Sequence, residues 1–198
     1  MEFHAVTNGR MPFPAIAQFM KEAGSVIDFL HIREKEKTEM EIYEGTAELI
    51  RNGVPSEKLI VNGRPDIAAA AGVRRVQLGY RNLSPSIVKR TFPSIHAGRS
   101  VHSLDEALEA QNEGADSVLF GHLFPTDSKK GLPPQGIGKA RELSELLSID
   151  VLVIGGIEPA HLPLLSDAKV KGFLVMSGIW DRDDPVQAAC EYREANNL

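Results

Sequence analysis

Short apolar runs alternate along the chain with stretches whose apolar residues recur at helical spacing. Glu2–Thr7 reads as a first strand. Pro12–Ala23 then sets Ile16, Phe19, Met20 and Ala23 on one helical face. Val26–Ile32 is a second strand. Thr38 to Glu41 has the form of a capping box, with the Thr hydroxyl accepting from the third helical amide and Glu41 reaching back. The buried stripe of that helix is expected at Met40, Tyr43, Ala47 and Ile50. Leu59–Val61 is strand three, and Arg64–Ala71 a short helix burying Ile67, Ala70 and Ala71. Arg75–Leu78 is strand four, and Ser84-Pro85 opens a helix with Ser as cap and Pro at its first position. Ser94–Ala97 leads into Gly98–Ser100 as strand five. Ser103 to Glu106 is a second capping box, ahead of Ala107, Leu108 and Gln111. Asp116–Phe120 is strand six. Lys139–Leu147 follows as a helix with Leu143, Leu146 and Leu147 inward. Val151–Ile154 is strand seven, His161, Leu162 and Leu165 mark a helix, Gly172–Met176 is strand eight, and Asp184-Pro185 caps the last helix.

Eight such units follow one another without a low-complexity linker, which is the count of a compact (β/α)₈ TIM barrel in the α/β class. The reading is a single domain over residues 1–198. Runs apolar on both faces suit parallel strands covered by helices. The mean unit of roughly 25 residues is shorter than the ~31 of an ordinary barrel, so connections must be tight. A doubly wound open sheet is the rival. It calls for a glycine-rich turn after strand one, which Thr7-Asn-Gly-Arg10 does not supply. The net charge of −5, with no basic run, argues against a nucleic-acid partner. No apolar run reaches the ~20 residues of a membrane span, so a cytoplasmic protein with no membrane partner is expected. Cys190, the only cysteine, reads as a small packed residue.

In a barrel the chemistry belongs to the C-terminal ends of the strands. Here those ends read His31-Ile-Arg-Glu-Lys35, Asn62-Gly-Arg64, Gln77–Tyr80, Arg99–His102, His122, Gly155-Gly156 and Ser177-Gly178. The glycines after strands seven and eight let backbone amides approach an anion closely. The same glycines could also serve only tight turns. The longest connection, GHLFPTDSKKG at 121–131, carries a histidine, two hydroxyls, a carboxylate and two lysines, and its length and glycines suit a lid. Lys129 or Lys130 would supply counter-charge, unless the pair is simply solvated. Among six histidines, His4 and His31 read as core or rim, His96 as packed, His102 as a loop residue and His161 as structural. His122 ends a strand at the polar loop, and an imidazole there suits proton transfer near neutral pH. No zinc spacing or Ser-His-Asp signature appears.

HIREKEKTEME (31–41), LIVNGRPDIA (59–68), VQLG (76–79), GRSVHSLDEA (98–107), LFGHLFPTDSKKG (119–131), VIGGI (153–157) and VMSGI (175–179) together resemble the thiamin phosphate synthase superfamily. The resemblance implies a (β/α)₈ barrel acting in thiazole and pyrimidine metabolism. It departs where the synthases carry aspartates for magnesium and pyrophosphate. Gly63 stands at the first position, and Tyr80-Arg-Asn-Leu83 holds no carboxylate at the second. With NGR and GH patterns, the chain is more similar to the TenI-type thiazole tautomerases. That branch implies an isomerase needing no cofactor, which aromatises a carboxylated thiazole phosphate tautomer with His122 as acid/base. Matching motif positions imply substrate contacts from Arg33, Lys35, Asn62, Ser100, Thr126, Ser128, Lys129, Gly156, Ser177 and Gly178, and no metal site; a homodimer is an expectation from the family resemblance alone. Thiamin phosphate synthase activity and a non-catalytic regulatory or ligand-sensing role are the alternatives.

Overall fold

The computed structural model describes residues 1–197, the side chain of Ser128 excepted. Its strands are β1 (Glu2–Val6), β2 (Phe29–Ile32), β3 (Leu59–Asn62), β4 (Arg75–Leu78), β5 (His96–Val101), β6 (Ser117–Gly121), β7 (Asp150–Ile154) and β8 (Gly172–Val175). Each pairs in parallel with the next, and β8 returns to β1 through the register His4↔Leu174, so the sheet is a closed barrel. This rules out the open-sheet rival. Helices α1 (Phe13–Ala23), α2 (Glu39–Arg51), α3 (Pro65–Ala70), α4 (Pro85–Thr91), α5 (Leu104–Asn112), α6 (Ile137–Leu146) and α7 (Leu162–Asp167) fill the crossovers. Two more, α8 (Ser177–Trp180) and α9 (Pro185–Asn196), follow β8; the pattern of apolar residues does not predict the single turn of α8.

Two apolar clusters divide the core. The larger lies between barrel and helices and takes one set of alternate strand residues, among them Phe3, Leu30, Val61, Phe120, Val153 and Phe173. Phe3 and Phe173 stack there with ring centroids 5.0 Å apart. The smaller, inside the barrel, consists of Val6, Leu119, Leu152 and Leu174. Beside it the interior is polar, with His4, His31 and Gln77 all buried. The strands are therefore not apolar on both faces as expected; they alternate with period two, and their inner face carries chemistry. Gly98 serves this interior, since a Cβ there would lie 2.5 Å from Gln77 Oε1.

Helix faces show where pattern alone misleads. In α2 the buried residues are Ile42, Gly45, Thr46 and Leu49, while Met40 is 61% and Tyr43 38% exposed. Gly45 decides this: a Cβ there would overlap the Phe13 ring at 2.1 Å, so α1 docks on the glycine rather than on the larger apolar stripe. In α5, Ala107 and Ala110 face the barrel, Leu108 is partly exposed, and Gln111 instead accepts from the Ser148 amide at 2.7 Å. In α3 the buried pair is Ile67 and Ala68, not Ala70 and Ala71. In α6, Leu143 is buried but Leu146 is 55% exposed. Leu147 reaches the core because it has left the helix in an extended conformation.

The capping box at Thr38 forms as read. At Ser103 only half of one forms: the serine accepts from the Glu106 amide, but Glu106 turns back to the His102 amide. Ser84 occupies the cap position of α4 without capping it and bonds Ser86 Oγ at 2.9 Å. Asp184 accepts from the Val186 and Gln187 amides and caps α9. Cys190 lies half-buried in that helix as a free thiol.

Candidate functional site

The C-terminal mouth of the barrel opens into a cavity of about 730 Å³, within the ~300–1,000 Å³ of small-ligand sites. Its lining includes Arg33, Asn62, Ser100, His122, Thr126, Lys129, Gly156, Ser177 and Gly178. The strand ends thus bring nine of the implied site residues together. Lys35 is the exception: it is exposed and does not line the cavity. After β2 ends at Ile32, Arg33 turns inward, Glu34 turns back to pair with Lys37, and Lys35 is left outward. The side chain of Ser128 lies outside the described residues.

His122 stands at the root of the loop, 9% exposed, after a cis peptide from Gly121. Its Nε2 lies 3.3 Å from the Leu132 carbonyl. A carbonyl can only accept, so in the neutral ring Nε2 carries the proton and Nδ1 the lone pair. Both ends of the loop are pinned. Leu123 and Phe124 donate to the Ile154 and Gly155 carbonyls at 2.9 Å each, which extends the pairing of β6 with β7. Gln135 and Gly136 donate back to His122 and Leu123. Phe124 stacks on His161 at 4.0 Å, so His161 supports the loop from below.

The Gly155-Gly156 pair has a structural cause as well as a chemical use. Both have positive φ, and a Cβ on Gly155 would lie 2.5 Å from that of His122. One on Gly156 would lie 2.2 Å from the Pro125 carbonyl oxygen. The loop rests directly on these glycines. Gly178 is similarly needed by Tyr192, whose hydroxyl donates to the Ile157 carbonyl at 2.7 Å. Burial pushes the Tyr192 phenol up to about 12, so it remains a donor at neutral pH. At α8, the first intrahelical bonds come from the Ile179 and Trp180 amides to Met176; Ser177 and Gly178 precede them.

Charge is distributed unevenly round the mouth. Arg33 is half-buried and lacks an ion-pair partner among the described residues, and its burial lowers the guanidinium from its ordinary range. Lys130 pairs with Asp127 at 3.2 Å, leaving Lys129 as the loop cation that lines the cavity. Sequence reasoning gave no site role to several lining residues: His31, read there as core or rim, and Glu158, Arg182, Glu191 and Tyr192. The alternation His31–Arg33 could have found the first. The others come largely from the C-terminal helices, whose docking no local signal reveals.

Beside the cavity, the space after β3 and β4 is closed by Asn82. It accepts from the Gly79 amide at 2.7 Å and donates to the Gly63 carbonyl at 3.2 Å. Gly63 has φ +72, and a Cβ there would lie 3.1 Å from the Asn82 amide. The nearby carboxylates Asp66 and Glu39 are engaged by Arg64. Among the described residues no three His, Cys, Asp or Glu side chains are placed to hold a metal ion. These residues do not fit a magnesium ion, which takes carboxylate oxygens and keeps room for water.

Residues 3–179 match the family model described as thiamine monophosphate synthase, TMP-TENI. The chain belongs to that family. It is 30% identical over 195 residues to a thiamine-phosphate synthase of Pyrococcus abyssi, covering 98% of this chain and 94% of the relative. One from Desulfitobacterium hafniense is 36% identical over 169 residues, with coverage of 82% and 80%. A solved thiamine phosphate pyrophosphorylase from Pyrococcus furiosus superposes with a TM-score of 0.85 at 26% identity, covering 99% and 95%. These relatives are enzymes of thiamine biosynthesis. Among the described residues, no helix is long and apolar enough to cross a membrane.

Proposed function

We propose that the chain is a thiazole tautomerase of thiamin biosynthesis. The carrying observation is His122, enclosed in the cavity with its Nδ1 lone pair left by the Leu132 bond, beside a mouth whose described residues hold no carboxylate set for magnesium. The substrate is the carboxylated thiazole phosphate tautomer, and the product is 2-(2-carboxy-4-methylthiazol-5-yl)ethyl phosphate. His122 takes a proton from the ring carbon bearing the carboxylate, the double bonds shift into the ring, and the imidazolium returns a proton to the exocyclic carbon. The proton count is unchanged. Aromatisation drives the step, so positioning and one acid/base group suffice. The phosphate is held by the amides at Gly156, Ser177 and Gly178, with Lys129 and Thr126 from the loop. Arg33, Asn62 and Ser100 face the rest of the substrate. No cofactor enters this scheme.

The names of the relatives favour a second reading, thiamine-phosphate synthase. Against it stand Gly63 and Asn82, which leave no acidic pair for the metal-bound pyrophosphate that reaction releases. A non-catalytic sensing role is the third reading. One set of assays separates them. With the thiazole tautomer, wild-type protein should aromatise it and His122→Asn should lose about 10²–10⁴-fold in rate, the usual worth of a general acid/base, while still binding product. Equal rates in both proteins would remove His122 from the chemistry. Turnover of thiazole phosphate and hydroxymethylpyrimidine pyrophosphate with magnesium at a true synthase rate would establish the second reading. Product binding without either activity would establish the third.

A further inference from the structure

A chain of three titratable groups crosses the barrel interior, and the chemistry above leaves it unused. At the N-terminal end Glu2 Oε2 lies 3.2 Å from His4 Nε2. Further in, His4 Nδ1 lies 3.0 Å from His31 Nε2. Both histidines are buried, His31 completely. A carboxylate can only accept, so His4 Nε2–H donates to Glu2 and His4 Nδ1 holds a lone pair. His31 must then donate from Nε2. Its Nδ1 is left as a lone pair, buried and without a hydrogen-bond partner among the described residues.

Asn62 Oδ1 is a second buried acceptor with no partner among the described residues. His31 pairs with Ile60 on β3, and Asn62 follows two residues later on the same face. Two buried acceptors without a partner among the described residues thus sit on residues that line the cavity, and each is costly to leave unpaired. A single proton on His31 Nδ1 would serve both. Burial and then His4 hold the His31 imidazole well below the usual histidine range, while Asn62 favours the charged form. Burial therefore keeps His31 neutral, and a negative charge beside it would offset that desolvation.

The other charged groups around the chain leave that role to a ligand. Glu2 is shared with Lys171 at 3.4 Å. Asp28 and Arg75 act on His4 with opposite sign. Arg33, just beyond the end of the strand that carries His31, is cationic and brings no negative charge to it. The ionised thiazole ligand of the proposed reaction offers no N–H or O–H donor, and with its phosphate held at Gly156, Ser177 and Gly178 the anionic group it can bring to His31 is its carboxylate.

We propose that His31 and Asn62 form a floor subsite for the carboxylate of the ligand, and that His31 takes up one solvent proton as that carboxylate binds. Nδ1–H then donates to the carboxylate and Asn62 Oδ1. Nε2–H still donates to His4, and Glu2 balances the charge from the far end. The ligand's identity rests on the tautomerase reading; the proton uptake is an equilibrium property and is measured without turnover.

The test is calorimetric titration of the full chain at about pH 7.5, above the usual histidine range, in two buffers of different ionisation enthalpy. The probes are the carboxylated thiazole phosphate and the same compound lacking the carboxylate, which cancels any proton taken up by the phosphate itself. The carboxylated probe should take up about one proton more in wild type, by linkage. His122→Asn should keep that difference, while His31→Gln should lose it and bind the carboxylated probe more weakly. Glu2→Gln, changed at the far mouth, should reduce the uptake. Equal uptake for the two probes, or a difference that disappears only in His122→Asn, would overturn the subsite. Should His31→Gln not fold, nitrogen NMR of the wild-type imidazole decides: Nδ1 of His31 must become protonated on adding the carboxylated probe, and a persistent lone pair overturns the inference. Failure of the product to bind at all would overturn the functional reading and this subsite with it.

Discussion

Residue by residue, the site is made by where the chain turns more than by which residues are basic. Arg33 and Lys35 look equivalent in HIREK, yet only Arg33 lines the cavity. Arg33→Ala should therefore weaken product binding by about 10-fold or more, in line with the ~1.5–3 kcal/mol of a hydrogen bond to a charged group. Lys35→Ala should change it less than about twofold, since surface charges contribute little. Titrating both variants with product checks the pair, and a large loss at Lys35 would mean the loop repositions on binding. The glycines follow the same logic. Gly156 reads in the sequence as an anion cradle, and it is also the platform on which Pro125 rests.

At the level of elements, α9 links stability to the site. It carries Tyr192, which holds the Ile157 carbonyl beside the mouth, and Arg193, which pairs with Asp28 at 2.7 Å. Asp184 caps its start. Asp184→Ala should cost about 1 kcal/mol, the usual loss for an N-cap. In a chain of this size that lowers Tm by about 2–4 °C, readable by thermal denaturation. Tyr192→Phe leaves a buried carbonyl unpaired and should cost about 1–3 kcal/mol. It should also weaken phosphate binding, because Ile157 follows the glycine pair. A Tyr192→Phe protein with unchanged Tm and unchanged affinity would disconnect α9 from the mouth.

Over the whole molecule, burial of the histidines sets a pH response. Burial lowers His4, His31 and His96 from the usual histidine value in the folded state. The unfolded chain then binds more protons than the folded one below about pH 6.5, so stability rises with pH there. Tm should be level from about pH 8 to 7 and fall as pH drops from about 6.5 toward 5. Asp28 adds a second loss at lower pH. Burial raises its carboxyl, but the Phe3 amide and the Arg193 guanidinium outweigh this and hold it below the ordinary range. Its contribution is present above the unfolded carboxylate value and is lost as pH falls through the folded one. Thermal melts from about pH 8 to 3 test both, and a Tm that rises on acidification through about pH 6 would contradict the histidine assignment.

Much of this architecture is legible in the chain. Strand positions, the Thr38 and Asp184 caps and the long loop at His122 are local: they depend on run length, turn chemistry and residues three or four apart, which interact before any tertiary contact forms. Helix faces are not legible where two apolar stripes compete, as in α2, because the choice lies with Phe13 and Gly45 from different elements. Nor is the division of the strands into an apolar outer and a more polar inner face, which closure of the barrel alone creates. The motif at 121–131 marks His122 as the candidate acid/base from its neighbours in sequence. That His31 should be its counterpart on the cavity floor, with a tautomer set by Glu2 from the opposite end, depends on three strands meeting in register. Covalent neighbours specify where the chain turns and pairs; which side chains end up facing one another in a dry interior is decided only when the barrel closes and water leaves.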